Sequence, residues 1–301
     1  MPAAVREMKK HNPSASSRRA ARLKPAFERL YEKYNRRELI KTDPLQFVYH
    51  YPGQEDREMV GFLAAALAYG RVQQIEKSLI CLFEYMGKRP FAFVCDFDAR
   101  KRAQLRDFKH RFTTGDDLSD LLELLRTVLE EFGGLEEYFA RGYSSGDATV
   151  IPALSKFCDS LCAAYTKRHG GRVSTGLKYL LASPTRNSAC KRLNLFLRWM
   201  VRNDDVDTGL WTSIDKAKLI VPVDVHISRL CKILGFYGRK TISLAAATEI
   251  TESFAGIEPA DPVKYDFALS RIGIVENCDG SYRPTCADCE LLEFCRNNPY
   301  D

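Results

Sequence analysis

Apolar residues recur at helical spacing along almost all of this chain, and that period is the strongest limit on its fold. The segment DREMVGFLAAALAYGRVQQIEKSLICLFEYMG (56–87) carries it, with a break at Tyr69-Gly70. DDLSDLLELLRTVLEEFGG (116–134) opens on acidic and Ser residues suited to a helix start and closes on Gly133-Gly134. The same period runs through 150–168, 188–202, 221–238, 243–256 and 261–278. Alternating strand patterns bounded by hairpin turns are missing. An all-α fold is expected, with the least distinct boundaries around CDFDARKRAQLRDFKHRF (95–112).

A length of 301 residues allows two domains or one large one, and 45% hydrophobic with 28% charged residues is ordinary for a globular protein. No run of eighteen apolar residues is present, so no membrane span is expected. No apolar leader opens the chain, and a cytoplasmic location is expected. Net charge is +6, unevenly spread. Residues 1–41 hold twelve Lys/Arg against four Glu, a net +8, so the rest nets about −2. A basic arm of this kind suits a polyanion such as nucleic acid, or is a solvated tail over 1–20.

Ten cysteines in a long chain without a leader point to reduced thiols. Cys81, Cys95, Cys158, Cys162, Cys190 and Cys231 are scattered among apolar or helix-forming neighbours and read as small buried hydrophobes. The other four, Cys278, Cys286, Cys289 and Cys295, fall within CDGSYRPTCADCELLEFC, with seven, two and five residues between them. Four thiolates this close suit zinc or an iron–sulfur cluster, whereas four free thiols would be prone to oxidation. Zinc ribbons usually offer two C-x2-C knuckles. Here only Cys286 and Cys289 form one and the set is compact, which favours a 4Fe–4S cluster with zinc as the alternative.

That loop, at the end of a helical chain, resembles the C-terminal loop of the endonuclease III branch of the helix–hairpin–helix, Gly-Pro-Asp DNA glycosylase superfamily. The first gap is seven residues where that family has six. A second likeness lies upstream, where VPVDVHISRLCKILG is similar to the family segment whose Asp is catalytic. The resemblance assigns that role to Asp224, preceded by Pro222, with His226 and Arg229 matching around it; the plain alternative is that Asp224 only caps a helix. The family's hairpin lysine has its candidate in LLASPTRNSACKRLNLFLRWM, where Lys191 stands in the first turn after a bend of Ser183, Pro184, Thr185, Arg186, Asn187 and Ser188. The hairpin glycines are absent, and the 33-residue step from Lys191 to Asp224 is nearer to the archaeal 8-oxoguanine glycosylases of that superfamily. A Schiff-base lysine must be neutral, and a helix start, adjacent Arg192 and burial would each lower its pKa. The alternative for Lys191 is a surface residue or phosphate contact.

The resemblance implies a two-lobed helical glycosylase-like fold. One lobe, 52–215, would end in the helix–hairpin–helix. The early helix 21–48 with 216–301 would form the cluster-bearing lobe. Double-stranded DNA with a damaged base would lie between them, with no obligate protein partner. Arg71, Gln73 and Gln74 occupy the place of the family's intercalating loop. Ser183, Arg186, Asn187, Ser188, Arg192, His226, Arg229 and Arg283 are candidate DNA contacts, with Arg296 just beyond. Tyr69, Phe196 and Trp199 could stack on a flipped base, although such aromatics are more often core. The expected activity is removal of an oxidised base such as 8-oxoguanine, alone or with β-lyase cleavage. A protein of the same fold that binds DNA or RNA without cutting is the alternative, and a zinc-stabilised adaptor a third. The chain also resembles an uncharacterised bacterial family through ACKRLNLFLRWMVR, VPVDVHISRL and DPVKYDFALSRIGI, which brings no activity with it.

Overall fold

The helical period is realised in the computed structural model, which describes residues 15–299 and is 61% helix and 2% strand. α1 (Ala15–Tyr34) is followed by two 3-10 turns, Arg37–Ile40 and Pro44–His50. The early helix therefore begins within the stretch expected to be a tail and ends well before residue 48. Pro25 sits inside it, lacking the N–H that residue 21's carbonyl would accept, which obscures the helix in the sequence. Residues 1–14 of the expected tail lie outside the described residues.

α2 (Gln54–Ala66) and α3 (Val72–Met86) divide at the expected break. α2 is buried from Glu58 through Ala66, because α10 (Lys191–Val201) and the Pro44–His50 turn cover it from two sides. Between α3 and α6 (Gly115–Phe132) lie α4 (Pro90–Cys95), α5 (Ala99–Gln104) and a small hairpin, β1 (Lys109–His110) with β2 (Thr113–Thr114). The hairpin corrects the expectation of no hairpins, since two residues per strand leave no alternating pattern to read. α6 starts cleanly: Thr114 and Asp117 form a reciprocal capping box, satisfying amides that the first turn would otherwise orphan.

α7 (Leu135–Ala140), α8 (Ile151–His169) and α9 (Thr175–Leu180) complete the layer around α6. Downstream, α11 (Val225–Ile233) and α1 both pack on α13 (Asp266–Ile274), while α12 (Leu244–Ala255) adds Phe254 to the cluster of Phe27, Phe236 and Tyr265. A continuous apolar core runs through all of these elements. Each fully buried large side chain, such as Phe27, Phe62 or Phe139, contributes about 1.5–3 kcal/mol relative to exposure.

The first helix also grips the last loop. Arg22 pairs with Glu293 at 2.5 Å, Lys33 with Glu290 at 2.9 Å, and the Tyr34 hydroxyl donates to Glu276 at 2.7 Å. Arg19 donates to the Leu234 carbonyl at the end of α11. Among the described residues, no helix is long and apolar enough to cross a membrane.

Candidate functional site

Lys191 is the first residue of α10, and the turn before it is unusual. A 3-10 turn at Pro184–Arg186 leads to Asn187 (φ 57°) and Cys190 (φ 49°), both left-handed. Asn tolerates that region, whereas Cys carries the Cβ penalty that glycine avoids. Local bonds hold Cys190 there: its N–H donates to Ser188 Oγ at 3.1 Å, and its thiol to the Ala182 carbonyl at 3.0 Å. Asn194 Nδ2 closes the turn onto the Ala189 carbonyl at 3.1 Å. The chain thus reverses without the hairpin glycines whose absence the sequence records.

The Lys191 amine donates to the Ala68 carbonyl at 3.2 Å. Lys191 keeps some exposed surface, yet its amine end is enclosed. Burial pulls its pKa below the ordinary lysine value, adjacent Arg192 pushes the same way, and Asp224, Asp43 and Asp266 oppose. Among those carboxylates Asp224 acts most strongly. Asp224 caps α11, accepting the Ile227 N–H at 2.8 Å, after the buried Val221-Pro222-Val223 segment that leads into the helix. Both groups stand at helix starts, and the carboxylate's charge reaches the amine. Among the described residues no ion pair joins the two side chains.

Behind them lies a buried charge network that the sequence did not signal. Arg198 pairs with Asp207 at 3.2 Å and with Asp266. Arg202 pairs with Asp204, Asp207 and Asp261, and Arg271 lies 3.6 Å from Asp43. Burial pushes the Asp266 carboxyl up to about 6 against the pull of Arg198, with Asp224 adding to the rise. Asp266 Oδ1 is buried without a hydrogen-bond partner, as is His226 Nδ1. The His226 ring rests directly on α13: a Cβ at Gly273 would come within 2.6 Å of Nδ1. Acid–base capacity in a dry setting is what this grouping offers.

A cleft of about 570 Å³ opens beside Lys191, lined among others by Tyr179, Arg186, Ser188, Val223 and the exposed Ile242. Asn187 is exposed on the same turn and Arg229 on α11. Arg71, Gln73 and Gln74 are exposed at the start of α3, three to six residues from the carbonyl that Lys191 holds. Arg283 is drawn into a pair with Asp279 at 2.5 Å.

Four expected contacts fall elsewhere. Arg192 is buried, donating to the Ala66 carbonyl at 2.7 Å and to the Tyr179 carbonyl, so it braces α10 and is not free for a phosphate. Ser183 is fully buried, its Oγ 2.9 Å from Thr185 Oγ1, where it caps the 3-10 turn. Phe196 sits edge-on between Phe62 and Trp211, and Trp199 has no exposed surface. Neither can meet a base, because a helix buried on nearly every face has no outward aromatic position. Of the three aromatics, Tyr69 alone is partly exposed.

The four loop cysteines are all partly exposed. Cys278, Cys286 and Cys289 line one pocket of about 280 Å³ together with Lys33 and Tyr34 of α1. Cys278 and Cys286 both act on the Cys289 thiol, whose pKa burial raises. Cys295 lines the neighbouring groove of about 450 Å³, with Arg18, Arg19, Arg22 and Arg296. Among the described residues, no three His, Cys, Asp or Glu side chains are arranged to hold a metal ion. By chemistry the four thiols are soft donors of the kind that soft metals and clusters take; three of the cysteines line one pocket and the fourth another, in a loop of short 3-10 turns.

The profile of a family described as "Protein of unknown function (DUF2400)" matches residues 43–275. The chain belongs to that family. The DUF2400 match takes in Asp43, Lys191, Asp224 and Asp266, and stops short of the cysteine loop. No curated protein and no solved structure matches the chain.

Proposed function

We propose that this protein is a base-excision DNA glycosylase with β-lyase capacity, built as two helical lobes around the Lys191 cleft. The observation that carries the reading is the placing of Lys191 and Asp224 at two helix starts, with the amine's pKa lowered by burial.

The chemistry follows from those two groups. A neutral Lys191 amine attacks C1′ of the damaged nucleotide as the C1′–N bond breaks and the base leaves with a proton. Positive charge develops at C1′ and its ring oxygen, and the Asp224 carboxylate stabilises it. The attached nitrogen passes a proton to the ring oxygen O4′ as the C1′–O4′ bond breaks, which opens the ring and gives an iminium. Removal of the C2′ proton then expels the 3′ phosphate. Oxidised purines such as 8-oxoguanine are the substrate class suggested by the long step from Lys191 to Asp224.

The thiol loop belongs to this reading as a fastener. Cys278, Cys286, Cys289 and Cys295 would hold a 4Fe–4S cluster, or zinc, and such a group would supply structural rigidity to the loop. The groove of Arg18, Arg19, Arg22 and Arg296 beside it suits a phosphodiester backbone.

Borohydride trapping with an 8-oxoguanine duplex tests the activity. A covalent adduct is expected with the unmodified chain, none with Lys191→Ala, and slower base release with Asp224→Asn. No adduct across a panel of oxidised bases, and base release unaffected by Lys191→Ala, would overturn the bifunctional reading.

A further inference from the structure

The β1–β2 hairpin puts Arg111 and Phe112 at its tip, and Phe112 is 51% exposed. The ring is nonetheless held in place. It stacks on Tyr69 with centroids 5.1 Å apart and planes at 25°, and meets Tyr179 edge-on at 4.6 Å. The Tyr69 hydroxyl lies 2.8 Å from the His110 carbonyl and 2.7 Å from Thr113 Oγ1, one on each strand of the hairpin. Gly70 (φ 100°) lets the hairpin close up: a Cβ there would come within 2.8 Å of Arg111 Cδ.

Beneath the aromatics lies Arg192, 5.0 Å from the Tyr69 centroid and 4.1 Å from that of Tyr179. Its bonds to Ala66 and Tyr179, and that of Lys191 to Ala68, fix the aromatic group to the helix start that carries the cleft amine. The exposed ring of Phe112 has a cation beside it. The Arg111 guanidinium lies 5.8 Å from its centroid, Lys109 is exposed on β1, and Arg71 is exposed two residues after Tyr69.

A fixed ring with an open surface and a guanidinium beside it matches a flat π-system attached to an anion. We propose that Phe112 is the stacking residue for an unpaired nucleobase next to the Lys191 cleft. The proposal rests on the nucleic-acid reading above and adds a residue that reads unpaired bases.

The test uses the full chain and two duplexes of one sequence, one intact and one with a tetrahydrofuran abasic analogue opposite 2-aminopurine. Phe112→Ala should weaken binding to the abasic duplex roughly five- to 150-fold, the range for losing one base–aromatic stack, and leave the intact duplex within about twofold. Phe112→Trp should restore binding, and only the ring-bearing chains should quench the 2-aminopurine. If Phe112→Ala binds both duplexes as the unmodified chain does, or loses both equally, the stacking role falls while DNA binding stands. If the unmodified chain binds neither duplex, the nucleic-acid reading falls with it.

Discussion

Arg198, in the last turn of α10, and Asp266, in the first turn of α13, form an ion pair with side chains 2% and 4% exposed. Through it the helix that begins at Lys191 is joined to the helix that supports His226 and Asp224. Removing Asp266 leaves the buried Arg198 charge with Asp207 alone to balance it.

Asp266→Ala should therefore destabilise the protein by about 3–5 kcal/mol. Urea unfolding is the measurement, with Asp266→Asn, which keeps an acceptor for Arg198, losing less. A loss below about 1 kcal/mol for the alanine variant would show the pair to be dispensable.

The same carboxyl gives a pH dependence of definite sign. Its folded pKa, about 6, lies above the ordinary value of 3.8, so the folded state holds its proton longer than the unfolded chain. Its contribution is fully present below about pH 4 and is lost as pH rises through about 6. Asp266→Asn should flatten that part of the stability–pH curve, read as melting temperature between pH 4 and 7.

Lys191 has the opposite displacement. Its folded pKa lies below 10.5, so the unfolded chain binds the proton more readily over that window and stability rises with pH toward 10.5. Lys191→Met removes the enclosed amine and should stabilise the fold by about 0.5–2 kcal/mol while abolishing borohydride trapping. A stable, inactive variant separates chemistry from folding.

Asn187 is exposed at φ 57° and ψ 22°. Asn187→Gly should be neutral or slightly stabilising, and Asn187→Val should cost about 1–2 kcal/mol. Equal stabilities by thermal melting would mean that the turn relaxes out of the left-handed region.

Cys286→Ser tests the thiol loop without reference to activity. Anaerobically purified protein should contain iron and sulfide, or zinc, and the variant should lose most of it. Metal analysis with visible absorbance reads both, and a metal-free unmodified chain would refute the ligand assignment.

Much of this was legible because helices announce themselves over many residues. The break at Tyr69-Gly70 and the helix 116–134 came from period and caps, and both are where the sequence puts them within two or three residues. The β1–β2 hairpin was not legible, because four residues cannot display a period of two. Lys191 and Asp224 were singled out by the resemblance to glycosylase segments, and the structure puts each at a helix start. Arg198 and Asp266 could not be found, since a charge inside an apolar helical run is as consistent with a wet edge as with a buried pair. Phe196 and Trp199 failed for the converse reason: α10 is covered on almost all sides, so an aromatic residue there gives no sign of its direction.

The grip of α1 on the final loop also has a practical meaning. Arg22, Lys33 and Tyr34 lie before the stretch 43–275, and Glu293, Glu290 and Glu276 lie after it. The chain's beginning and end act as the two halves of a clasp. A version trimmed to the shared stretch would keep Lys191 and Asp224 and yet discard both halves at once, baring the flank of α13 that they cover.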